Sequence, residues 1–196
     1  MFQTKPQIAL DLIDRAKANG IKVMAWTADE GYGRDGAFLD GLDERNEAWV
    51  IEVPPNAHVW LMKPKVLKTP PENTTSRPKK YPRLRSRERQ PSEIQNLARY
   101  SPAFRKQTPQ NYQIKHTHRG SEVWEIRWST CWRKTHTDNL VSNQCTLIVA
   151  RNVLTGEVKY FLSNRVPGEI NPVTGQCITL RFLLRVAFGR SSIESC

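Results

Sequence analysis

The stretch "VMAWTADEGYGRDGAF", residues 23–38, decides how the chain is read. It opens as an apolar strand, reaches the adjacent acids Asp29 and Glu30, and breaks into a turn marked by Gly31 and Gly33 before a second helical pattern begins at Asp35. Upstream, Ile8, Ala9, Leu12, Ile13 and Ala16 recur at helical spacing, Pro6 suits a first turn and Asn19-Gly20 supplies a stop. "IKVMAW", residues 21–26, then reads as a strand. Asp35 caps a helix whose Phe38, Leu39 and Leu42 face inward, and "AWVIEV", residues 48–53, reads as another strand. Helix, strand, helix, strand with short connections implies an α/β beginning with parallel strands under helices.

Pro54 and Pro55 end that pattern. "EVWEIRWSTCW", residues 122–132, alternates so that Trp124, Ile126, Trp128, Thr130 and Trp132 share one strand face. Residues 144–164 read as two more strands joined by a turn at Leu154–Gly156. A short helix over 92–100 is expected from the capping-box spacing of Ser92 and Gln95. "CITLRFLLRVAF", residues 177–188, reads as a helix apolar around most of its circumference, and "SSIESC" as the start of another. The expected division is 1–55 as the first part of an α/β core, 56–110 as a basic linker with a short helix, 111–166 as an antiparallel β insertion, and 167–196 as a helical return to the core.

Charge is distributed unevenly along the 196 residues. The net +11 arises from residues 63–119, which hold fifteen Lys/Arg against three Asp/Glu, whereas residues 1–62 hold six against ten. The densest stretch, "RPKKYPRLRSRER", carries Arg77, Lys79, Lys80, Arg83, Arg85, Arg87 and Arg89 against Glu88 alone. Its two prolines forbid a continuous helix, so the cations belong on an extended arm suited to a nucleic-acid backbone; the other reading is a solvated linker. Trp124, Trp128 and Trp132 offer either a stacking face for bases or sheet core.

Four cysteines without a CxxC pair argue against a disulfide framework and point to reduced, buried thiols. A zinc group drawn from His116, His118, Cys131 and His136 has no standard spacing. No apolar run is long enough to cross a bilayer and no secretory signal is seen at the N-terminus, so a cytoplasmic location is expected.

Ligands of open α/β sheets bind beyond the carboxyl ends of strands, and Asp29 stands at such an end. A carboxylate there suits a hard cation, and metal-assisted phosphoryl transfer groups two or three of them around Mg²⁺. Glu194 in "RSSIES" is a second candidate, close to Arg190. Each has a structural alternative: Asp29 as a turn or cap residue, Glu194 as the partner of Ser191 in a capping box.

"TADEGYGRDGAFLDGLDERNEAWVIEVPPN", residues 27–56, resembles the segment around the second catalytic aspartate of DDE transposases of bacterial insertion sequences, where an A-D-x-x-Y-G motif follows a core strand. "GEVKYFLSN" resembles the strand pair closing that family's β insertion, and "GRSSIESC" is similar to its R-W-x-I-E-x-C/F signature. The three blocks stand in family order and span nearly the whole chain. The resemblance implies an RNase H-like core interrupted by an antiparallel β insertion, incomplete because the first core strands and the first catalytic aspartate lie N-terminal to everything in this chain. It implies Asp29 and Glu194 as metal ligands for Mg²⁺ or Mn²⁺, Arg190 near a DNA phosphate, and Glu30 and Tyr32 as supporting neighbours. It further implies DNA, both transposon ends and target, as partner, a bacterial, nucleoid-associated setting, and an oligomer for the intact family. Where the family has tryptophan after the signature arginine, this chain has Ser191. With one carboxylate missing, the chain alone is expected not to cleave or join DNA; the alternative is a non-catalytic basic nucleic-acid-binding module.

Overall fold

The computed structural model describes residues 2–67, 82–85, 87–117, 120–138, 140–168, 179–188 and 193–195. Helix α1 (Lys5–Ala18) begins at Thr4, which accepts from Gln7 N–H while the Gln7 side chain accepts from Thr4 N–H, with Pro6 in the first turn. It stops where Gly20 adopts φ +74°, a left-handed conformation that glycine takes without strain. Strand β1 (Trp26–Ala28) leads into the one-turn α2 (Glu30–Gly33), then α3 (Gly36–Glu44) and β2 (Trp49–Glu52). β1 and β2 pair in parallel, Trp26 opposite Trp49 and Ala28 opposite Ile51. Asp35 caps α3 through Ala37 and Phe38 N–H, and Phe38, Leu39 and Leu42 are buried, as the pattern predicts.

The first strand is shorter and later than "IKVMAW" implies. Backbone pairing with β2 begins only at Trp26, and Ile21 and Met24 stay exposed at 56% and 45%. Apolarity alone does not make a strand without a ladder partner.

After β2 come β3 (His58–Trp60), β4 (Val66–Leu67), β5 (Arg83–Leu84), β6 (Ser92–Glu93), α4 (Ile94–Tyr100) and α5 (Pro102–Arg105). The capping box expected at Ser92 does not form, because β3 takes Ser92 and Glu93 into a short antiparallel pair. Glu93 is the residue before α4 and makes no side-chain cap; its carboxylate instead accepts from Gln95 and Asn96.

Strands β7 (Gln110–Thr117), β8 (Gly120–Arg133), β9 (Cys145–Asn152) and β10 (Val158–Ser163) form antiparallel neighbours. The β9–β10 turn is the one read from the sequence: Asn152 Oδ1 accepts from Leu154 and Thr155 N–H, and Gly156 takes φ +73°. These strands do not form a separate sheet. β10 pairs directly with β2, so one mixed, mostly antiparallel sheet runs β1-β2-β10-β9-β8, with β3 and β7 on different lengths of the far edge of β8.

Helix α6 (Leu180–Ala187) and strand β11 (Ile193–Ser195) complete the described chain. α6 buries one face through Leu180, Leu183 and Leu184 and leaves Arg185 exposed, so it is amphipathic rather than apolar all round. Residues 193–195 are extended, not helical: their backbone pairs with the edge of β7, Glu194 opposite Gln113. An edge strand offers hydrogen-bond partners at every second residue, which a helix of so few residues cannot match.

Alternation along the strands divides the core in two. Ile51, Leu147, Val149 and Leu162 pack with α1, α3, α4 and α5 residues on one side; Val50, Ile126, Ile148 and Phe161 pack under α6 on the other. Trp124 is 3% exposed, its ring 5.0 Å from that of Phe188, and Trp128 packs against the same cluster. Trp124 and Trp128 are therefore sheet core under α6, not an open stacking platform, while Trp132 is half-buried opposite Trp60 on β3. No helix among the described residues is long and apolar enough to cross a membrane.

Candidate functional site

Asp29 projects from the carboxyl end of β1, in the position that open sheets use for ligands. It is exposed and caps α2: Oδ1 accepts from Gly31 N–H at 3.0 Å and Tyr32 N–H at 3.4 Å. Glu30 is held at 2.8 Å by Arg34, and the Tyr32 ring stacks at 5.2 Å on Phe38. The cap reading of Asp29 is thus realised, and one carboxylate oxygen has no protein donor. Beside it, between α1 and β1, lies a cavity of about 340 Å³ lined by Leu12, Ile13, Trp26, Tyr32, Phe38 and Ile51.

Gly33 sets how closely this motif approaches the sheet. A Cβ there would lie 1.9 Å from the carbonyl oxygen of Glu52, a backbone atom that cannot rotate away. Gly33→Ala is expected to push α2 off β2 and lower stability by about 1–3 kcal/mol, read as a lower urea midpoint at unchanged m-value. An unchanged midpoint would show that the close approach is dispensable.

The structure does not bring Glu194 to Asp29. Along the sheet, six strand steps separate β1 from β11, across β2, β10, β9, β8 and β7. Arg190 lies outside the described residues, as do Arg77, Lys79 and Lys80. Of the basic arm, Arg83 pairs within β5 against β4, Arg85 N–H donates to Lys65 O, and Arg89 O accepts from the Trp60 indole. None of Arg83, Arg85, Arg87 or Arg89 has an ion-pair partner among the described residues.

The fit of a divalent ion at Asp29 is decided by its donor set. No group of three His, Cys, Asp or Glu side chains able to hold a metal occurs among the described residues. Asp29 alone offers one free oxygen, too few for a Mg²⁺ site. The zinc grouping fails as well: Cys131 is fully buried opposite Cys145 on the next strand, and His118 lies outside the described residues. Burial pushes both thiols up, Cys145 to about 11, which leaves them protonated and inert, as expected for core cysteines.

Sequence reading missed the most heavily bonded polar centre. Arg133 on β8 is 4% exposed and donates from Nη1 to Asp40 Oδ1 at 2.5 Å and from Nη2 to Asp43 Oδ2 at 2.6 Å. Asp40 Oδ2 accepts from His136 N–H, Thr137 N–H and the Thr137 hydroxyl at 2.7–3.0 Å. Burial works against its charge, but the Thr137 hydrogen bonds and the Arg133 guanidinium outweigh that and hold its carboxyl below the usual range. The signal was present: Asp40 and Asp43 alternate with Leu39 and Leu42 on a buried helix, where an acid requires a partner.

Compared with known protein families, residues 1–121 match the DDE superfamily endonuclease family. Comparisons with curated proteins and with solved structures returned no match. The matched segment covers more than half of the chain and encloses the parallel β1–β2 pair with Asp29 at the end of β1, so the chain belongs to the DDE superfamily of endonucleases.

Proposed function

We propose that this chain is a DNA-binding member of the transposase type within that superfamily, whose chemistry in the intact family is Mg²⁺-dependent strand cleavage and transfer. The observation that carries the reading is Asp29: an exposed carboxylate at the carboxyl end of a parallel strand, inside the matched segment. Its free oxygen is available to a metal that other carboxylates would complete. Such an ion would supply activation of the attacking oxygen and neutralisation of the leaving one. What the chain itself contributes is the rigid presentation of that oxygen, fixed by two cap hydrogen bonds and by the Gly33 contact with β2. Glu194 and Arg190 are proposed as the third acid and its arginine, acting in an arrangement that carries Glu194 to Asp29 from the β7 edge. Arg77, Lys79, Lys80, Arg83, Arg85, Arg87 and Arg89 are the proposed contacts to DNA phosphates.

Because no group of three His, Cys, Asp or Glu side chains able to hold a metal occurs among the described residues, the chain alone is expected not to nick supercoiled plasmid in Mg²⁺ or Mn²⁺. It is expected to bind duplex DNA with a log affinity against log salt slope of about −4 to −5. Asp29→Ala is expected to leave that binding intact and cost about 1 kcal/mol through the lost cap. Nicking by the wild-type chain that disappears in Asp29→Ala would show that the active centre is already complete. Salt-sensitive binding indifferent to both metal and Asp29 is also what a non-catalytic binding module gives, a reading favoured by Arg83, Arg85, Arg87 and Arg89 having no ion-pair partner among the described residues. Restoration of nicking by a second polypeptide supplying an aspartate-bearing strand separates the two.

A further inference from the structure

A second cavity borders the end of the α2 turn at Gly33, Arg34 and Gly36. It measures about 270 Å³ and is lined by Arg34, Asn56, His58, Arg133 and Lys134, with Gly33, Gly36, Leu39, Val53 and Leu162 forming much of the remaining wall. Not one Asp or Glu lines it. That contrasts with the cavity on the other side of Arg133, which Asp40, Asp43, Glu44 and Asp138 line. Of the acids near the lining residues in sequence, Asp35 caps α3, Glu30 is held by Arg34, Asp40 by Arg133 and Glu52 by Lys159.

The donors here lack acceptors. The side chains of Lys134, His58 and Asn56 make no hydrogen bond or ion pair among the described residues. Arg133 Nε is buried without a hydrogen-bond partner, although the same guanidinium donates through Nη1 and Nη2 to two aspartates. Those aspartates neutralise its charge, so the positive potential comes from Lys134 and Arg34, with the exposed His58 and Asn56 side chains as further polar groups of the rim. The Arg34–Glu30 bridge is exposed on both sides and exchanges readily with solvent ions. A rim of exposed cationic and polar donors suits a small oxyanion, which accepts several hydrogen bonds at once. The volume equals about nine waters at ~30 Å³ each, enough for a tetrahedral anion with part of its hydration.

We propose that this cavity is a phosphate-binding site, taking either a backbone phosphodiester of bound nucleic acid or free inorganic phosphate. Neither Asp29 nor any of the basic-arm residues 77–89 is among its lining residues. A strand held here would pass the carboxyl end of β2, where Val53 and Pro54 line the cavity. The assignment to a backbone phosphate rests on the DNA-binding reading; the anion site itself does not.

The test uses the full chain and follows the imidazole resonances of its four histidines by NMR during two titrations, one with inorganic phosphate and one with a short single-stranded oligonucleotide. Saturable shifts of the resonances that vanish in His58→Gln are expected with phosphate. Lys134→Ala is expected to weaken that binding about tenfold or more, the loss of one charged hydrogen bond, while Lys63→Ala, outside the cavity, leaves it unchanged. Shifts of the same resonances by the oligonucleotide assign the site to a backbone phosphate; shifts by phosphate alone assign it to the free anion. Absence of a saturable His58 shift in both titrations, or equal affinity in Lys134→Ala, overturns the site. Oligonucleotide binding that persists meanwhile leaves the DNA-binding reading standing. Its loss while the phosphate shift survives removes that reading and not the site.

Discussion

Arg133→Met is expected to cost about 3–5 kcal/mol, the range for removing one partner of a buried ion pair. Methionine fills much of the space but leaves Asp40, 7% exposed, and Asp43 with no cation. Asp40 retains its hydrogen bonds from His136 and Thr137, which places the loss on the guanidinium rather than on the loop. The pH dependence has a definite sign. A carboxyl held below its unfolded value, near ~3.9, contributes stability that is present above that pH and fades as pH falls through the folded value. The wild-type protein should therefore lose this contribution below about pH 4, and the gap between wild type and Arg133→Met should narrow there as Asp40 protonates. Urea unfolding at pH 7 and pH 3.5 measures both quantities; a gap equal at the two pH values would mean that the aspartates contribute nothing through charge. The Asp40→Asn, Arg133→Met double variant should lose less than the sum of the single losses, since each single change leaves a charge unpaired.

Trp49→Ala is the second large effect, again about 3–5 kcal/mol. Trp49 is fully buried on β2, the strand that joins the parallel part of the sheet to the antiparallel part, and packs with Leu39, Leu42 and Leu162 in the larger core. Its indole N–H donates to Asp43 Oδ1 at 2.9 Å, its backbone N–H donates to Asn164 Oδ1, and Asn164 Nδ2 donates in turn to Asp43 Oδ1 and Glu47 O. Removing the ring leaves a cavity between both halves of the sheet and strips one donor from the carboxylate that Arg133 also holds. Trp49→Phe should cost much less, because Asp43 keeps the Asn164 and Arg133 donors and most of the apolar area stays filled. Comparable losses for the two variants would contradict this ordering, and urea midpoints at unchanged m-value decide it.

Both predictions concern a centre that local patterns did not expose. Helical spacing located α1 and α3 with their caps, alternation located β8 to β10, and Asn152 with Gly156 located the last turn, because each depends on residues within a few positions of one another. The expected strand over 21–26, the capping box at Ser92 and the helix at 193–195 went otherwise, because distant strands supplied or withheld hydrogen-bond partners there. At the site, the Asp29 motif was legible as a strand end followed by a glycine turn. The cation-lined cavity joins residues 33–58 to 133–134 and leaves no local trace.

The order of residues was enough to determine an α/β opening, a cationic middle, an alternating β stretch and a carboxylate at the end of the first strand, all of them properties of short windows of chain. Tertiary structure alone decided that β10 joins β2 into one sheet, that α6 buries the tryptophan face, and that β11 rests on β7, far from Asp29. Those outcomes turn on which backbone edges and apolar faces are left open once the local elements exist. That competition is settled by desolvation and hydrogen-bond satisfaction over the whole molecule.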